Sequence, residues 1–324
     1  MPPDSVTLPA SSSLPPLPAS RFSIVLGLSG LGQAWRVASH LWPLPALVGE
    51  TVLACAVLVW ACLLLAYGMQ TLADPARTAR ELRHPVAGGT GALVGVATFL
   101  AAQAVAPYSH PVAWALVLAG MAWALPFAVW GTGLMWQGTR NDGDTTTAVY
   151  LPTVAANLTG AGALGALGRP DWAWLFFGVA VFSWLALETL VVRRLWVVVT
   201  PVPQRPLVGI QFSPAVVTAA SLLLIEPDAP TPILLMLLGY SLFQMLVEIR
   251  MARWLGAGGF DWTWWAFSFG VVSAAVTCLK LAGRGVPVAQ ELAVPVFAGA
   301  NLFIGWLCLR SLGLAGRTLA RRRR

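Results

Sequence analysis

The chain has 324 residues, of which 57% are hydrophobic and only 10% charged, with a mean hydropathy of +0.73. A soluble domain carries roughly 25% charged residues, so this chain cannot cover a soluble surface and reads as an integral membrane protein with no room for a soluble catalytic domain. The formal net charge of +7 does not point to nucleic acid, because the Arg residues sit in short segments between apolar stretches.

Residues 1–20 are rich in Pro and Ser, with Asp4 the one charged side chain. They lack the basic start and apolar core of a secretion signal and are expected to form a disordered N-terminal tail. Ten apolar stretches follow, each close to the ~20 residues that cross a bilayer. The expected spans are about 21–40, 48–72, 86–106, 111–137, 147–167, 171–198, 205–225, 231–254, 262–283 and 289–314. They make up a transmembrane domain over residues 21–316, and a basic tail occupies residues 317–324.

The stretches alternate in character. Odd-numbered spans are rich in Gly, Ala, Ser and Thr; even-numbered spans are rich in Trp, Leu and Phe. Small residues let helices approach closely or leave room for a path, and bulky ones suit lipid. The expected fold is therefore an all-α bundle with odd helices inside and even helices outside.

Basic residues set the orientation. Arg21, Arg77, Arg80, Arg83, Arg140, Arg193, Arg194, Arg205, Arg250, Arg253, Arg317 and the Arg321–Arg324 cluster fall on one side. Arg36, Arg169, Lys280 and Arg284 fall on the other. Both termini are expected in the cytoplasm of a bacterial inner membrane, which requires an even number of spans and makes all odd helices parallel.

Helical spacing suggests the lining of a path. The first span aligns Ser23, Gly27, Gly30 and Ala34; the third offers Thr98; the fifth aligns Thr153, Asn157, Gly160 and Leu164. The seventh aligns Gln211, Pro214, Thr218 and Ser221, and the ninth Phe269, Ser273, Thr277 and Lys280. The same small residues would also serve tight helix packing alone. Pro152 and Pro214 each remove a backbone hydrogen bond, which is tolerated at membrane depth where backbone lines a cavity. The lining holds no Asp or Glu, while Arg36, Lys280 and Arg284 lie at one mouth and Arg21 and Arg205 at the other. Such a path favours anions, although the same cations would also serve as snorkelling anchors. Glu188 and Glu248 are expected in structural ion pairs rather than as transport carboxylates, Glu188 with Arg193 or Arg194 and Glu248 with Arg250, Arg253 or a neighbouring loop.

Four cysteines without Cys-x-x-Cys spacing and three scattered histidines give no metal site. No Ser–His or Cys–His set and no paired intramembrane carboxylates support catalysis. No catalytic residue, metal or cofactor is expected.

Several segments resemble one known family. They are FSIVLGLSGLGQAWR from Phe22, MWQGT from Met135, YLPTVAANLTGAGALGALG from Tyr150, WLFFGVAVFSWLALE from Trp174, FSPAV from Phe212 and WWAFSFG from Trp264. In order and nearly throughout, the chain resembles the tellurite-resistance/dicarboxylate transporter family, whose members include bacterial TehA-type channels, plant slow-type anion channels, fungal malate carriers and sulfite exporters. It is most similar to the bacterial TehA type. The resemblance implies five helical hairpins around a pseudo-fivefold pore, a homotrimer with one pore per subunit, and Phe269 as the residue blocking the pore. It implies that Pro152 and Pro214 shape the pore, and it associates the chain with tellurite resistance. The expected function is a channel for small inorganic or organic anions in a lipid bilayer. The alternative is a secondary carrier for C4-dicarboxylates, sulfite or related oxyanions.

The orientation is testable. Reporter fusions near Arg80 should read cytoplasmic and one near Asp228 periplasmic; a cytoplasmic signal at Asp228 would overturn the parallel arrangement of the odd helices.

Overall fold

The computed structural model describes residues 17–138 and 141–322. Most of the expected N-terminal tail (1–16), Arg140, Arg323 and Arg324 lie outside the described residues. Those described form helices and turns with no strand. In chain order the helices are α1 Ser23–Leu41, α2 Ala46–Ala73, α3 Pro75–Arg83, α4 Leu93–Val105, α5 His110–Trp136 and α6 Ala156–Ala166. They continue as α7 Pro170–Val197, α8 Ser213–Ile225, α9 Thr231–Arg250, α10 Ala252–Leu255, α11 Ser268–Gly283 and α12 Pro287–Arg322.

Eight helical segments are long and apolar enough to span a membrane. They differ sharply in burial. The most apolar windows of Gly88–Val105, Val202–Ile225 and Trp262–Gly283 are 83%, 83% and 67% buried, whereas those of α2, α5, α7, α9 and α12 are 17%, 33%, 28%, 22% and 28% buried. The second group exposes Leu72, Phe182, Met236 and Leu302, an apolar exterior that suits lipid. This is a multi-pass membrane protein. Ten spans were expected from the sequence. The two stretches outside the eight are α1, with Gln33 and Arg36 among its small residues, and α6, whose 11 residues follow a π-helical turn at Leu151–Ala155. Pro152 lies in that turn and has no N–H to give a regular α-helical bond.

Packing follows a closed cycle: α1 touches α4, α4 touches α6, α6 touches α8, α8 touches α11, and α11 returns to α1. Each of these helices also packs on the long helix that follows it: α2, α5, α7, α9 and α12 respectively. Glycine makes the closest approaches possible. A Cβ on Gly30 would lie 2.0 Å from Val272 Cγ2, and one on Gly165 would lie 2.6 Å from the Leu224 carbonyl oxygen. The first contact joins α1 to α11; the second joins α6 to α8.

Two features depart from the sequence reading. Residues 75–83, read as a basic loop, form α3, with Pro75 at its start and the Asp74 carboxylate accepting from the Arg77 N–H at 3.0 Å. These are ordinary helix-start signals. Residues 17–20, read as part of the tail, are tied down. The Leu17 N–H donates to Gln70 Oε1 at 2.8 Å and the Ala19 N–H to Glu81 Oε1 at 2.7 Å, and Ala19 is fully buried.

Gly30→Ala should lower unfolding stability by about 1–3 kcal/mol, the usual cost of overpacking. Val272→Ala in the same chain should recover most of it. Equal losses in the single and double variants, measured by thermal unfolding in detergent, would separate Gly30 from this contact.

Candidate functional site

Two cavities lie within the cycle of α1, α4, α6, α8 and α11. The smaller, ≈ 70 Å³, is walled by the early residues of those helices and the turns before them, including Ser23, Leu93, Tyr150, Ser213 and Trp265. The larger, ≈ 370 Å³, is walled by later residues, including Gln33, Gln103, Thr159, Ser221 and Lys280. All five helices contribute early residues to one cavity and later residues to the other, so they run parallel. Phe269 and Val217 belong to both walls. Phe269 also packs against three of the clusters of buried apolar residues. It therefore borders both spaces.

The larger cavity has two cations of unequal effect. Arg36 is held by Glu50 through paired hydrogen bonds of 2.6 Å, and it also donates to the Ala104 carbonyl at 3.1 Å. The Tyr108 hydroxyl donates to the same carboxylate at 2.5 Å. This bidentate pair cancels most of the field of Arg36. Lys280 has no ion-pair partner among the described residues, so its charge faces the cavity unopposed. Thr159, Gln103 and Ser221 add polar groups: Gln103 Nε2 donates to the Thr159 carbonyl at 3.1 Å and the Ser221 hydroxyl to the Leu158 carbonyl at 2.9 Å.

The residues singled out by helical spacing take several positions. Gly30, Pro214, Phe269, Ser273, Arg36 and Lys280 line one or both cavities. Gly27 faces α11, where a Cβ would lie 2.8 Å from Ser268 Cβ, and Gly160 faces Phe176 of α7. Thr98 donates to the Val94 carbonyl at 2.7 Å and accepts from Trp60 of α2. Pro152 borders a separate hollow beside Phe127 and Trp130. Asn157 donates to the Thr153 carbonyl at 2.8 Å, Thr218 donates to the Pro214 carbonyl at 2.7 Å, and Thr277 is fully buried. Arg205 donates to the carbonyls of Thr200 and Trp254, and its guanidinium lies 4.5 Å from the Trp254 ring centre. Arg284 donates to the carbonyls of Ala229 and Pro227. Both therefore staple loops.

At some positions the small residues mark where helices touch, as at Gly27 and Gly160; elsewhere the expected stripe lines the cavities, as at Pro214 and Ser221 of α8 and Phe269, Ser273 and Lys280 of α11, with Val276 rather than Thr277 between the last two. On α8 the wall is Val217, Ala220, Ser221 and Leu224; on α11 it is Phe269, Ser273, Val276 and Lys280. Leu26, Val154 and Leu158 near the smaller cavity were not anticipated, because single apolar residues in an apolar span carry no signal of their own.

The family model described as "SLAC1: Voltage-dependent anion channel" matches residues 16–318. The chain belongs to the SLAC1 family. It is also 29% identical over 298 residues, 92% of this chain and 90% of the relative, to the "Tellurite resistance protein TehA homolog" of Haemophilus influenzae.

Behind the smaller cavity, this family member carries a polar cluster that differs from the expected ion pair. Glu188 of α7 is met by neutral donors: the Tyr150 hydroxyl at 2.8 Å, Trp184 Nε1 at 2.9 Å, Gln211 Nε2 at 2.9 Å, the Tyr240 hydroxyl at 2.5 Å and Gln244 Nε2 at 3.1 Å. The Arg194 guanidinium turns instead to Thr200 Oγ1 at 2.7 Å. Gln211, expected in the path, is thus committed to this cluster. Because Tyr150 also walls the smaller cavity, the cluster fixes one side of it and joins the turn before α6, α7, α9 and the turn before α8. Glu188→Ala would strand several part-buried donors and should cost roughly 3 kcal/mol or more. Thermal unfolding checks this, and a loss below that of Tyr150→Phe would refute the cluster's bracing role.

Proposed function

We propose that this protein is an anion channel of the TehA type, in which small anions cross each subunit along the axis of α1, α4, α6, α8 and α11, with Phe269 as the gate. The observation that carries this reading is Phe269, which borders the cavities on both of its sides. An apolar ring there fills the path and offers an ion nothing in place of its hydration shell. The walls contain no acid, and Lys280 supplies an unopposed positive charge. The early ends of five parallel helices converge on the smaller cavity, where their dipoles favour anions.

In this reading the chain makes ten spans, as five hairpins around a pseudo-fivefold pore, with α1 and α6 crossing with the other eight. Both termini lie in the cytoplasm, the membrane is the bacterial inner membrane, and three copies form a homotrimer. An association with tellurite resistance follows from the similarity to the Haemophilus influenzae protein named for it. A coupled carrier for dicarboxylates or sulfite is the alternative, and it would show saturable flux tied to protons or a counter-substrate rather than voltage-driven current.

Phe269→Ala should raise anion conductance in planar bilayers by at least about tenfold, equivalent to removing ~1.4 kcal/mol of barrier. Phe267 faces away, stacking on Trp264 and edging Phe303, so Phe267→Ala should alter stability instead. A conductance rise with Phe267→Ala alone would place the path on the wrong side of α11.

Lys280→Gln should lower chloride current roughly fivefold at low ionic strength, the equivalent of ~1 kcal/mol between charges about 4 Å apart in water. The effect should shrink at high salt. Arg284→Gln should instead act on stability, through the two carbonyls it holds. An unchanged low-salt current in Lys280→Gln would leave that lysine without a role in attraction.

A further inference from the structure

A further hollow, of ≈ 650 Å³, lies along the outer helix α2 where it passes α1 and α4. On α2 its wall runs from Leu47 and Glu50 through Ala54 and Leu58 to Ala61. These residues recur every three or four positions, so they share one face of the helix. Of the eight apolar spans α2 is the least buried, at 17%, and Leu47 and Leu58 are exposed.

The hollow is polar at one end only. Arg36 near the end of α1, Glu50 early in α2 and Tyr108 just after α4 stand together there. Beyond them the α2 wall is apolar except for Thr51, whose hydroxyl is spent on the Leu47 carbonyl at 2.8 Å. From Glu50 to Ala61 the helix rises ~16 Å, about half of the ~30 Å hydrocarbon core of a bilayer. That is the depth of one leaflet, with the polar end placed for a lipid head and the apolar face for one acyl chain.

The polar end keeps one donor and one acceptor unused. A guanidinium offers five N–H donors and a carboxylate about four acceptor positions. Arg36 gives Nε to Glu50 Oε1, and Nη2 to Glu50 Oε2 and the Ala104 carbonyl. Its Nη1 has no partner among the described residues and is not sealed in by protein. Glu50 Oε2 accepts from Nη2 and from the Tyr108 hydroxyl, whereas Oε1 accepts from Nε alone. The two side chains are 16% and 30% exposed. The pair has no net charge, so it does not select for an anionic lipid. It matches a zwitterion whose phosphate accepts from Nη1 and whose ammonium donates to Oε1. A trimethylated ammonium carries the same charge but has no N–H to donate.

We propose that this hollow binds a phospholipid whose head carries both a phosphate and a primary ammonium group, with Arg36 and Glu50 holding the head and the α2 face from Ala54 to Ala61 bedding one acyl chain. Arg36 also walls the larger cavity, so the lipid head and the path share one residue. The site stands whether or not Phe269 gates the path.

The test is native mass spectrometry of the full-length protein released from detergent micelles. Dioleoyl phosphatidylethanolamine, phosphatidylcholine and phosphatidylglycerol are added in turn at equal concentration. The ethanolamine lipid should saturate at one per subunit and bind at least about tenfold more tightly than the other two, the order expected from one hydrogen bond between charged groups. Glu50→Gln should bring it down to the level of the choline lipid. Ala54 is exposed and borders the apolar part of the hollow. Ala54→Trp therefore leaves the head ligands in place and should weaken the saturable binding at least tenfold. Equal binding of ethanolamine and choline lipids, full binding in either variant, or uptake that never saturates would each overturn the proposal. So would a changed subunit number in Ala54→Trp with lipid binding intact, because a second copy of the chain would then fill the hollow. If Glu50→Gln does not fold, Ala54→Trp and the three lipids still decide it.

Discussion

The contact between α1 and α11 is the constraint on which the rest of the structure depends. These helices lie at opposite ends of the chain, and the Ser268 hydroxyl reaches the Ser23 carbonyl across 245 residues of sequence at 3.4 Å. Gly27 and Gly30 let the helices meet at backbone distance, and Val272 fills the notch above Gly30. With this contact made, five helices close on themselves and each needs an outer partner only on its far side. Without it, the small-residue faces would open toward lipid, where packing rather than hydrophobic burial must hold helices together.

Closure also decides where polarity resides. Within the ring most hydroxyls are spent on local carbonyls, as at Thr98, Thr159 and Thr218. The acids sit outside it. Glu50 cancels Arg36 at one end, Glu188 gathers neutral donors from four directions, and Glu248 lies buried on α9. The interior is thereby left apolar at Phe269 and Val217 and positive at Lys280.

The outer helices follow a different logic. Their exposed surface is apolar, as suits lipid. Specific side chains appear where an outer helix must be fixed to an inner one. Trp60 reaches Thr98, Trp123 reaches the Gly91 carbonyl at 2.9 Å, Trp265 reaches Ser311 at 2.9 Å, and Trp35 reaches Asn301 at 2.8 Å. Indole suits this position because its ring is apolar and its N–H can reach one acceptor.

The sequence by itself determined that this is a membrane protein made of helices, roughly where most of them begin and end, and the family to which it belongs. Hydropathy and short motifs are local properties, and a bilayer leaves helices as the simple way to satisfy the backbone. That Phe269 deserves notice was also legible, because the WWAFSFG segment singles it out from other aromatics, and it does line both cavities. The α3 start signals at Asp74 and Pro75 were present but hidden by the charge of the segment. Only the tertiary structure decided which face of each inner helix meets the cavities. Helical spacing groups Thr153 with Asn157 and Thr218 with Ser221, but rotation about the axis is set by how neighbours interlock, and glycine serves a helix contact as readily as a path. Partners for the acids were likewise undecidable, since Glu188 finds donors as far as 56 residues away in sequence and Glu248 does not pair with the arginines beside it. Side-chain pairing across helices depends on rotation and depth, and neither is written in the spacing of one helix.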